Sequence, residues 1–107
     1  MKKLDYKEFL CFVGVLGACA DLELDKKEEK MIRKMVGDDT FEDIYDIYQT
    51  LSDKEKLDVL VSYKDEFYGT AEKQQQLLNE LMNIFNADGE VSAMERMNFL
   101  MIRKLIS

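Results

Sequence analysis

The chain has 107 residues, of which 47% are hydrophobic and 10% aromatic, which is enough for one domain with its own core. It has no proline and only five glycines, so helices are favoured over a multistranded β fold. The formal net charge of −7 argues against nucleic-acid binding, because phosphates would be repelled, and the absence of histidine excludes Ser/His/Asp and Cys/His catalysis.

Helix starts can be located from the capping-box pattern, in which a side-chain oxygen and a Glu three residues later satisfy exposed backbone N–H groups. The pattern occurs at Asp5/Glu8, Asp25/Glu28, Ser52/Glu55 and Ser92/Glu95, with weaker caps at Thr40 and Thr70. The predicted helices span residues 5–20, 26–36, 41–50, 53–68, 71–86 and 93–106.

The first predicted helix is nearly all apolar, and Gly14 and Gly17, one turn apart, allow a neighbouring helix to approach closely. Its sequence also resembles a lipoprotein signal that ends at Cys19. Asp5 and Glu8 beside the apolar run argue against export, so we expect a cytoplasmic protein. No segment has the roughly 20 apolar residues of a membrane span, so no direct membrane insertion is expected.

The two cysteines, Cys11 and Cys19, lie eight residues apart on this helix. At about 1.5 Å of rise per residue they are roughly 12 Å apart, which is too far for a disulfide. We therefore expect two free, packed thiols with no redox role.

The later helices carry apolar residues at helical spacing, which predicts one antiparallel-rich bundle over residues 1–107 with its likeliest hinge at Gly69-Thr70. The stripes are Met31, Ile32, Met35 and Val36; Phe41, Ile44, Tyr45, Tyr48 and Leu51; Leu57, Leu60, Val61 and Phe67; Leu77, Leu78, Leu81, Met82 and Phe85; and Met94, Met97, Met101 and Leu105.

The chain also contains a degenerate internal duplication. A displacement of 67 residues aligns residues 10–28 with 77–95, and each segment reads as an apolar helix, an acidic turn, a capping box and a second helix. The identical pairs are Leu10/Leu77, Ala20/Ala87, Asp21/Asp88, Glu23/Glu90 and Glu28/Glu95. The pattern predicts two related helical hairpins.

The second acidic turn resembles part of a calcium-binding loop. With Gly89 at the sixth place, Asp88 and Glu95 fall at the fifth and twelfth, but Ile84 stands where the first aspartate ligand belongs. A standard EF-hand is therefore rejected. A weak Ca²⁺ or Mg²⁺ site shared between the two turns remains a candidate, with Asp21, Glu28, Asp88 and Glu95 as its ligands.

The alternative interpretation of the same residues is structural. Asp25 and Ser92 cap helices, while Glu28 and Glu95 complete the capping boxes and interact favourably with the helix dipoles. No cofactor is required in that case. The further acids Glu23, Asp25 and Glu90 extend an acidic surface.

Both turns resemble the paired acidic turns of TerB-like (tellurite-resistance) domains. The matching stretches are Ala20-Asp21-x-Glu23-Leu24-Asp25-x-x-Glu28 and Ala87-Asp88-Gly89-Glu90-Val91-Ser92-x-x-Glu95. The second match is close, whereas the first has Leu22 in place of the glycine. The resemblance spans most of the chain and includes Leu51-Ser52-x-x-Glu55 between the turns.

The resemblance implies a single compact all-α TerB-like domain of about six helices, found in stress-associated bacterial gene clusters. It also implies an acidic surface, proposed in the family as a divalent-metal site, and assembly into multiprotein complexes. We therefore expect a binding module that engages a protein partner, and no enzyme. The alternative is a Ca²⁺ or Mg²⁺ sensor or buffer that uses the two turns.

Two smaller alternatives stay open at the level of sequence. Met94, Met97 and Met101 could anchor a partner, although methionines at helical spacing are more often core residues. Self-association is the other, with Tyr45, Tyr48, Tyr63 and Phe67 as its interface. The sequence does not decide the oligomeric state.

Overall fold

The chain folds as an assembly of α-helices. The computed structural model describes residues 3–18, 26–85, 100 and 102–104, and these residues include no strand. The helices are α1 (Tyr6–Ala18), α2 (Lys26–Val36), α3 (Asp38–Thr50), α4 (Asp53–Ser62), α5 (Lys64–Phe67) and α6 (Ala71–Phe85). Residues 100 and 102–104 are also helical. The predicted all-α class is confirmed.

Two predicted capping boxes form as the sequence indicated. At the start of α1, the Asp5 N–H donates to Glu8 Oε1 (3.0 Å) and the Glu8 N–H donates to Asp5 Oδ1 (2.8 Å). Ser52 and Glu55 make the same reciprocal pair before α4. Thr70 caps α6 by accepting from the Lys73 N–H at 3.2 Å. These side chains supply partners for N–H groups that a helix leaves without intrahelical ones.

The start of α3 differs from the prediction. Thr40 is not a cap, since α3 already begins at Asp38 and its N-cap is Gly37, with φ 94° and ψ 152°. The Gly37 N–H donates to the Arg33 carbonyl at 2.8 Å, and its own carbonyl accepts from the Phe41 N–H at 3.0 Å. One glycine therefore ends α2 and starts α3. The boxes predicted at Asp25/Glu28 and Ser92/Glu95 involve Asp25, Ser92 and Glu95, which lie outside the described residues.

Helix α1 is the centre of the fold and packs against α2, α3 and α6. Its buried hydrophobic side chains are Phe9, Leu10, Cys11, Phe12, Val13 and Val15. Gly14 makes the close approach predicted for it, because a Cβ there would lie 3.1 Å from Ile84 Cδ1 and 3.3 Å from Ile32 Cδ1. The prediction of a nearly all-apolar central helix is confirmed.

Arg33 joins α2 to α3. Its guanidinium contacts Glu29 (3.0 Å), Asp38 (3.2 Å) and Glu42 (2.6 Å), and it lies 4.3 Å from the centre of the Phe41 ring. The hydrogen bonds to these carboxylates, first that to Glu42, raise the pKa of Arg33 above its usual range. The turn at Gly37 is thus held by a charged network as well as by backbone hydrogen bonds.

The predicted helix 53–68 is divided at Tyr63 into α4 and α5. The division follows from packing, because Tyr63 belongs to an aromatic cluster with Tyr6, Phe9, Phe67 and Tyr68. Ring centroids in this cluster are 5.2 to 6.0 Å apart. The aromatic cluster fixes α5 and the end of α4 against α1.

Two hydroxyl groups tie the aromatic cluster to the backbone. Tyr63 accepts from the Leu4 N–H at 2.7 Å, and Tyr68 donates to the Leu60 carbonyl at 2.7 Å. Tyr63 and Tyr68 are buried, so these bonds satisfy polar groups that water does not reach.

The apolar stripe predicted along α4 is only partly buried. Leu60 is fully buried, whereas Leu57 is 40% and Val61 is 56% exposed. The chain breaks at Gly69-Thr70 between α5 and α6, as predicted. Within the described part of the chain, no helix is long and apolar enough to cross a membrane. The radius of gyration is 12.6 Å, close to the ~13 Å of a compact domain of this length.

Candidate functional site

Most residues of the predicted metal site lie outside the described part of the chain. This applies to Asp21, Asp88 and Glu95, and also to the acidic-surface residues Glu23, Asp25 and Glu90. Glu28 is described: it lies in the first turn of α2, is 3% exposed and has an interaction partner. A buried carboxylate at this position suits a helix cap and a metal ligand equally well.

The described residues contain no group of three or more cysteine, aspartate or glutamate side chains that could hold a metal ion. The shared Ca²⁺ or Mg²⁺ site between the acidic turns stays a prediction, because three of its four ligands are not among them. The same applies to the internal duplication, whose two turns are not described.

A different group of acids is arranged on α3. Asp39, Asp43 and Asp46 are exposed and lie at i, i+4 and i+7, which places them on one side of the helix. We call these three residues the α3 acidic face. Among the described residues, none forms an ion pair or hydrogen bond with their carboxylates, whereas Asp38 and Glu42 on the same helix pair with Arg33.

The α3 acidic face has no basic residue within its helix to neutralise it. Like charges at i and i+4 destabilise a helix by roughly 0.2–0.5 kcal/mol per pair. The arrangement therefore repels anions and attracts basic groups at some cost in stability. The spacing of these aspartates is visible in the sequence, but it matches no known motif, unlike the two acidic turns.

A pocket of about 200 Å³ opens between α1, α5 and α6. It is lined by Tyr6, Glu66, Phe67, Lys73 and Gln76, and we call it the Tyr6 pocket. The rings of Tyr6 and Phe67 meet edge to face, with centroids 5.7 Å apart and an interplanar angle of 65°. Two aromatic walls and three polar side chains therefore border the same space.

Glu80 does not line the Tyr6 pocket, but it accepts hydrogen bonds from two neutral groups that do, those of Tyr6 and Gln76. The Tyr6 hydroxyl donates to its Oε2 at 2.9 Å, and the Gln76 amide donates to its Oε1 at 3.5 Å. No lysine or arginine among the described residues forms a salt bridge with Glu80. Glu66 differs, because Lys3 lies 3.3 Å from its carboxylate and Lys73 donates to its backbone carbonyl at 3.4 Å.

The Tyr6 hydroxyl is a hydrogen-bond donor and not a base. Burial raises its pKa above the usual range, and the hydrogen bond to Glu80 and the negative charge of that carboxylate raise it further. The phenol stays protonated and orients Glu80. The residues of this contact are 74 positions apart in the chain, so no sequence pattern indicated it.

Cys11 is a buried free thiol in α1. Burial raises its pKa to about 12, and neighbouring Arg33 lowers it only partly. A thiol that stays protonated and inaccessible is a poor nucleophile and metal ligand. The prediction of a packed thiol is confirmed for Cys11, while Cys19 lies outside the described residues.

The proposed self-association surface was partly wrong. Tyr48 and Tyr63 are buried and Phe67 is packed against the core, so these side chains serve the fold. Tyr45 is half-buried and stacks on Phe41 with centroids 5.5 Å apart. The methionines Met94, Met97 and Met101 lie outside the described residues.

Comparisons with protein-family models, curated proteins and solved structures found no match. The resemblance to TerB-like domains therefore rests on the motif residues alone. Three structural features bear on the function of the chain: the α3 acidic face, the Tyr6 pocket and the buried Glu28.

Proposed function

We propose that the chain is a helical binding module that engages a basic surface of a protein partner through the α3 acidic face. The observation that carries the proposal is the row of three exposed aspartates, Asp39, Asp43 and Asp46, without partners among the described residues. Arg33 forms salt bridges with the neighbouring acids Asp38 and Glu42, but the network that joins α2 to α3 includes none of these three aspartates.

The stability of α3 does not explain why three aspartates lie on one side of the helix. Asp38 and Asp39 in the first turn of α3 interact favourably with the helix dipole, but that effect fades within a turn. Asp43 and Asp46 lie beyond it. Their charges repel each other, and a complementary basic partner would remove that repulsion while steering the encounter.

The resemblance to TerB-like domains is part of the proposal. It suggests a bacterial, stress-associated, cytoplasmic module that works in a multiprotein complex, and it rests on the two acidic-turn motifs. We propose no catalytic role. The sequence has no histidine, Cys11 stays protonated, and the Tyr6 phenol is committed to Glu80.

The test compares two variants with equal total charge. One variant is Asp39→Asn/Asp43→Asn/Asp46→Asn, which neutralises the α3 acidic face. The matched control removes three other exposed acids from separate helices: Asp58→Asn/Asp65→Asn/Glu72→Gln. Proteins retained by immobilised wild-type chain are identified, purified and titrated against all three proteins by calorimetry.

We expect a partner whose affinity falls at least about fivefold in the α3 variant, since three exposed charge pairs contribute a few tenths of a kcal/mol each or more. The control should stay within about twofold of wild type, and binding should weaken with salt. If both variants lost the same affinity for the partner, the loss would be explained by net charge alone. A partner that binds all three proteins equally would contradict the role of α3.

A further inference from the structure

The Tyr6 pocket lies apart from the α3 acidic face, and its chemistry is that of a site for a single cationic side chain. We infer that it binds the guanidinium group of an arginine presented by another protein. This goes beyond the proposed function, because it assigns a second site on α1, α5 and α6 that would hold even if α3 contacted no partner.

The charge preference comes from Glu80. Its carboxylate is fixed by the Tyr6 hydroxyl at 2.9 Å and by the Gln76 amide, both neutral groups. No cation among the described residues pairs with it, so the negative charge beside the pocket-lining residues Tyr6 and Gln76 is oriented but has no ion-pair partner among them. A charge-assisted hydrogen bond from a cationic ligand would be roughly twice as strong as a neutral one.

The size and walls of the pocket select an extended group with an apolar stem. A volume of about 200 Å³ equals that of roughly seven water molecules, which suits one long side chain. The half-buried rings of Tyr6 and Phe67 offer apolar contact to such a stem.

Guanidinium fits the acceptors better than ammonium does. The Glu80 carboxylate lies on the α6 side. On the α5 side are the Glu66 carboxylate, which also pairs with Lys3, and the Glu66 backbone carbonyl, which also accepts from Lys73. A planar group with five N–H donors can reach separated acceptors and stack against an aromatic ring, whereas an ammonium is a compact point charge.

Substitution of Lys73 should affect ligand binding in the opposite direction to substitution of Glu80. Its ammonium lies in the pocket lining and donates to the Glu66 carbonyl at 3.4 Å, a long bond made by an exposed side chain. This internal cation would compete with an incoming guanidinium for the same acceptors. Its removal should therefore tighten ligand binding instead of weakening it.

The probe is Nα-acetyl-L-arginine methylamide, titrated into labelled protein and followed by amide and aromatic NMR shifts. Its neutral counterpart is the citrulline derivative, which has the same length and shape without the charge, and the lysine derivative tests ammonium. Free L-arginine tests whether the source is a free amino acid. We expect saturable shifts around Tyr6, Phe67 and Gln76 with a dissociation constant on the order of 1 mM.

The variants separate the pocket from general charge. Glu80→Gln keeps an acceptor for Tyr6 but loses the charge, and should weaken arginine binding about tenfold. Glu72→Gln, an exposed acid on the same helix, should stay within about twofold, and Lys73→Gln should bind severalfold more tightly.

Equal binding of the citrulline derivative, equal losses in Glu80→Gln and Glu72→Gln, or no saturable shift would overturn the inference. Equal or tighter binding of the lysine derivative would overturn the guanidinium assignment, and tighter binding of free L-arginine would overturn the protein source. These outcomes do not depend on the α3 acidic face, so failure here leaves the proposed function standing.

Discussion

Gly37 joins α2 and α3 in a backbone conformation that other residues rarely adopt. Its φ of 94° and ψ of 152° fall in a region that is essentially restricted to glycine. A Cβ at this position would meet no atom within 4 Å. The requirement for glycine is therefore conformational and does not come from lack of space.

We expect Gly37→Ala to lower the free energy of unfolding by about 1–3 kcal/mol, because the strained conformation must be kept to form both helices. Gly37→Asn should lose as much, since asparagine tolerates the left-handed helical region but not a ψ near 150°. Urea unfolding measures both. Gln49→Ala, an exposed change on α3, should stay within about 0.5 kcal/mol, and a similar small loss at Gly37 would contradict the argument.

The same residue shows why the start of α3 was predicted wrongly. A capping pattern needs a side-chain oxygen, which Thr40 has, but here backbone geometry makes the turn and no side-chain cap is formed. Gly37 followed by Asp38 and Asp39 was an available signal. Glycine commonly ends a helix, and acids favour the first turn of the next one.

At the scale of elements, the N-terminal capping box of α4 adds local stability to a helix that contributes few residues to the core. Val59 and Leu60 are buried, but Leu57 and Val61 face solvent, so the helix buries little apolar surface. The capping box of Ser52 and Glu55 stabilises it locally. We expect Ser52→Ala to cost about 1 kcal/mol in urea unfolding at neutral pH.

The capping box should also make α4 sensitive to acid. Hydrogen bonds from the Ser52 backbone and side chain lower the pKa of Glu55, so its contribution is present above the unfolded-state pKa and is lost as pH falls through the lower folded value. Wild type should exceed Glu55→Gln in stability at pH 7 and converge with it in acid. The difference between wild type and Asp58→Asn, an exposed acid on the same helix, serves as the control.

The division between α4 and α5 was beyond sequence reasoning. Residues 53–68 contain no glycine or proline, and their apolar spacing suits one continuous helix. The break at Tyr63 arises because its ring joins Phe9 and Phe67 and its hydroxyl accepts from Leu4. Two of these three contacts, those with Phe9 and Leu4, join residues more than fifty positions apart, and local patterns do not contain them.

For the whole molecule, the helical class and the central apolar helix followed from composition and periodicity, but the sites did not. The Tyr6 pocket assembles Tyr6 with Lys73 and Gln76 through the packing of α1 on α6. The spacing of the three aspartates of the α3 acidic face is visible in the sequence. Its significance, however, depends on the structural finding that Arg33 pairs with Glu29, Asp38 and Glu42 and with none of these three aspartates.

Neighbouring helices of the molecule also differ in their surface charge. Exposed lysines, including Lys26, Lys30 and Lys34, lie on α2, while α3 carries acids and no basic residue. The net charge of −7 is therefore distributed unevenly among the described helices. Exposed pairs within a Debye length of about 8 Å interact at physiological salt, so the local repulsion on α3 is not fully screened.

Asp43→Lys tests whether this distribution works against stability. A lysine at 43 would lie four residues after Asp39 and three before Asp46, so it replaces two like-charge pairs with two opposite ones. We expect the free energy of unfolding to rise by about 0.5 kcal/mol at low salt and the gain to shrink at high salt.

Asp58→Lys is the matched control, because it changes the net charge equally at an exposed site with Glu55 and Lys54 nearby. An equal gain there would assign the effect to net charge alone. A gain confined to Asp43→Lys, together with loss of the partner that the wild-type chain binds, would show that α3 keeps its aspartates at a cost in stability. That combination is expected of a binding face. If the carboxylates served folding alone, reversing the charge of one of them would not raise the free energy of unfolding.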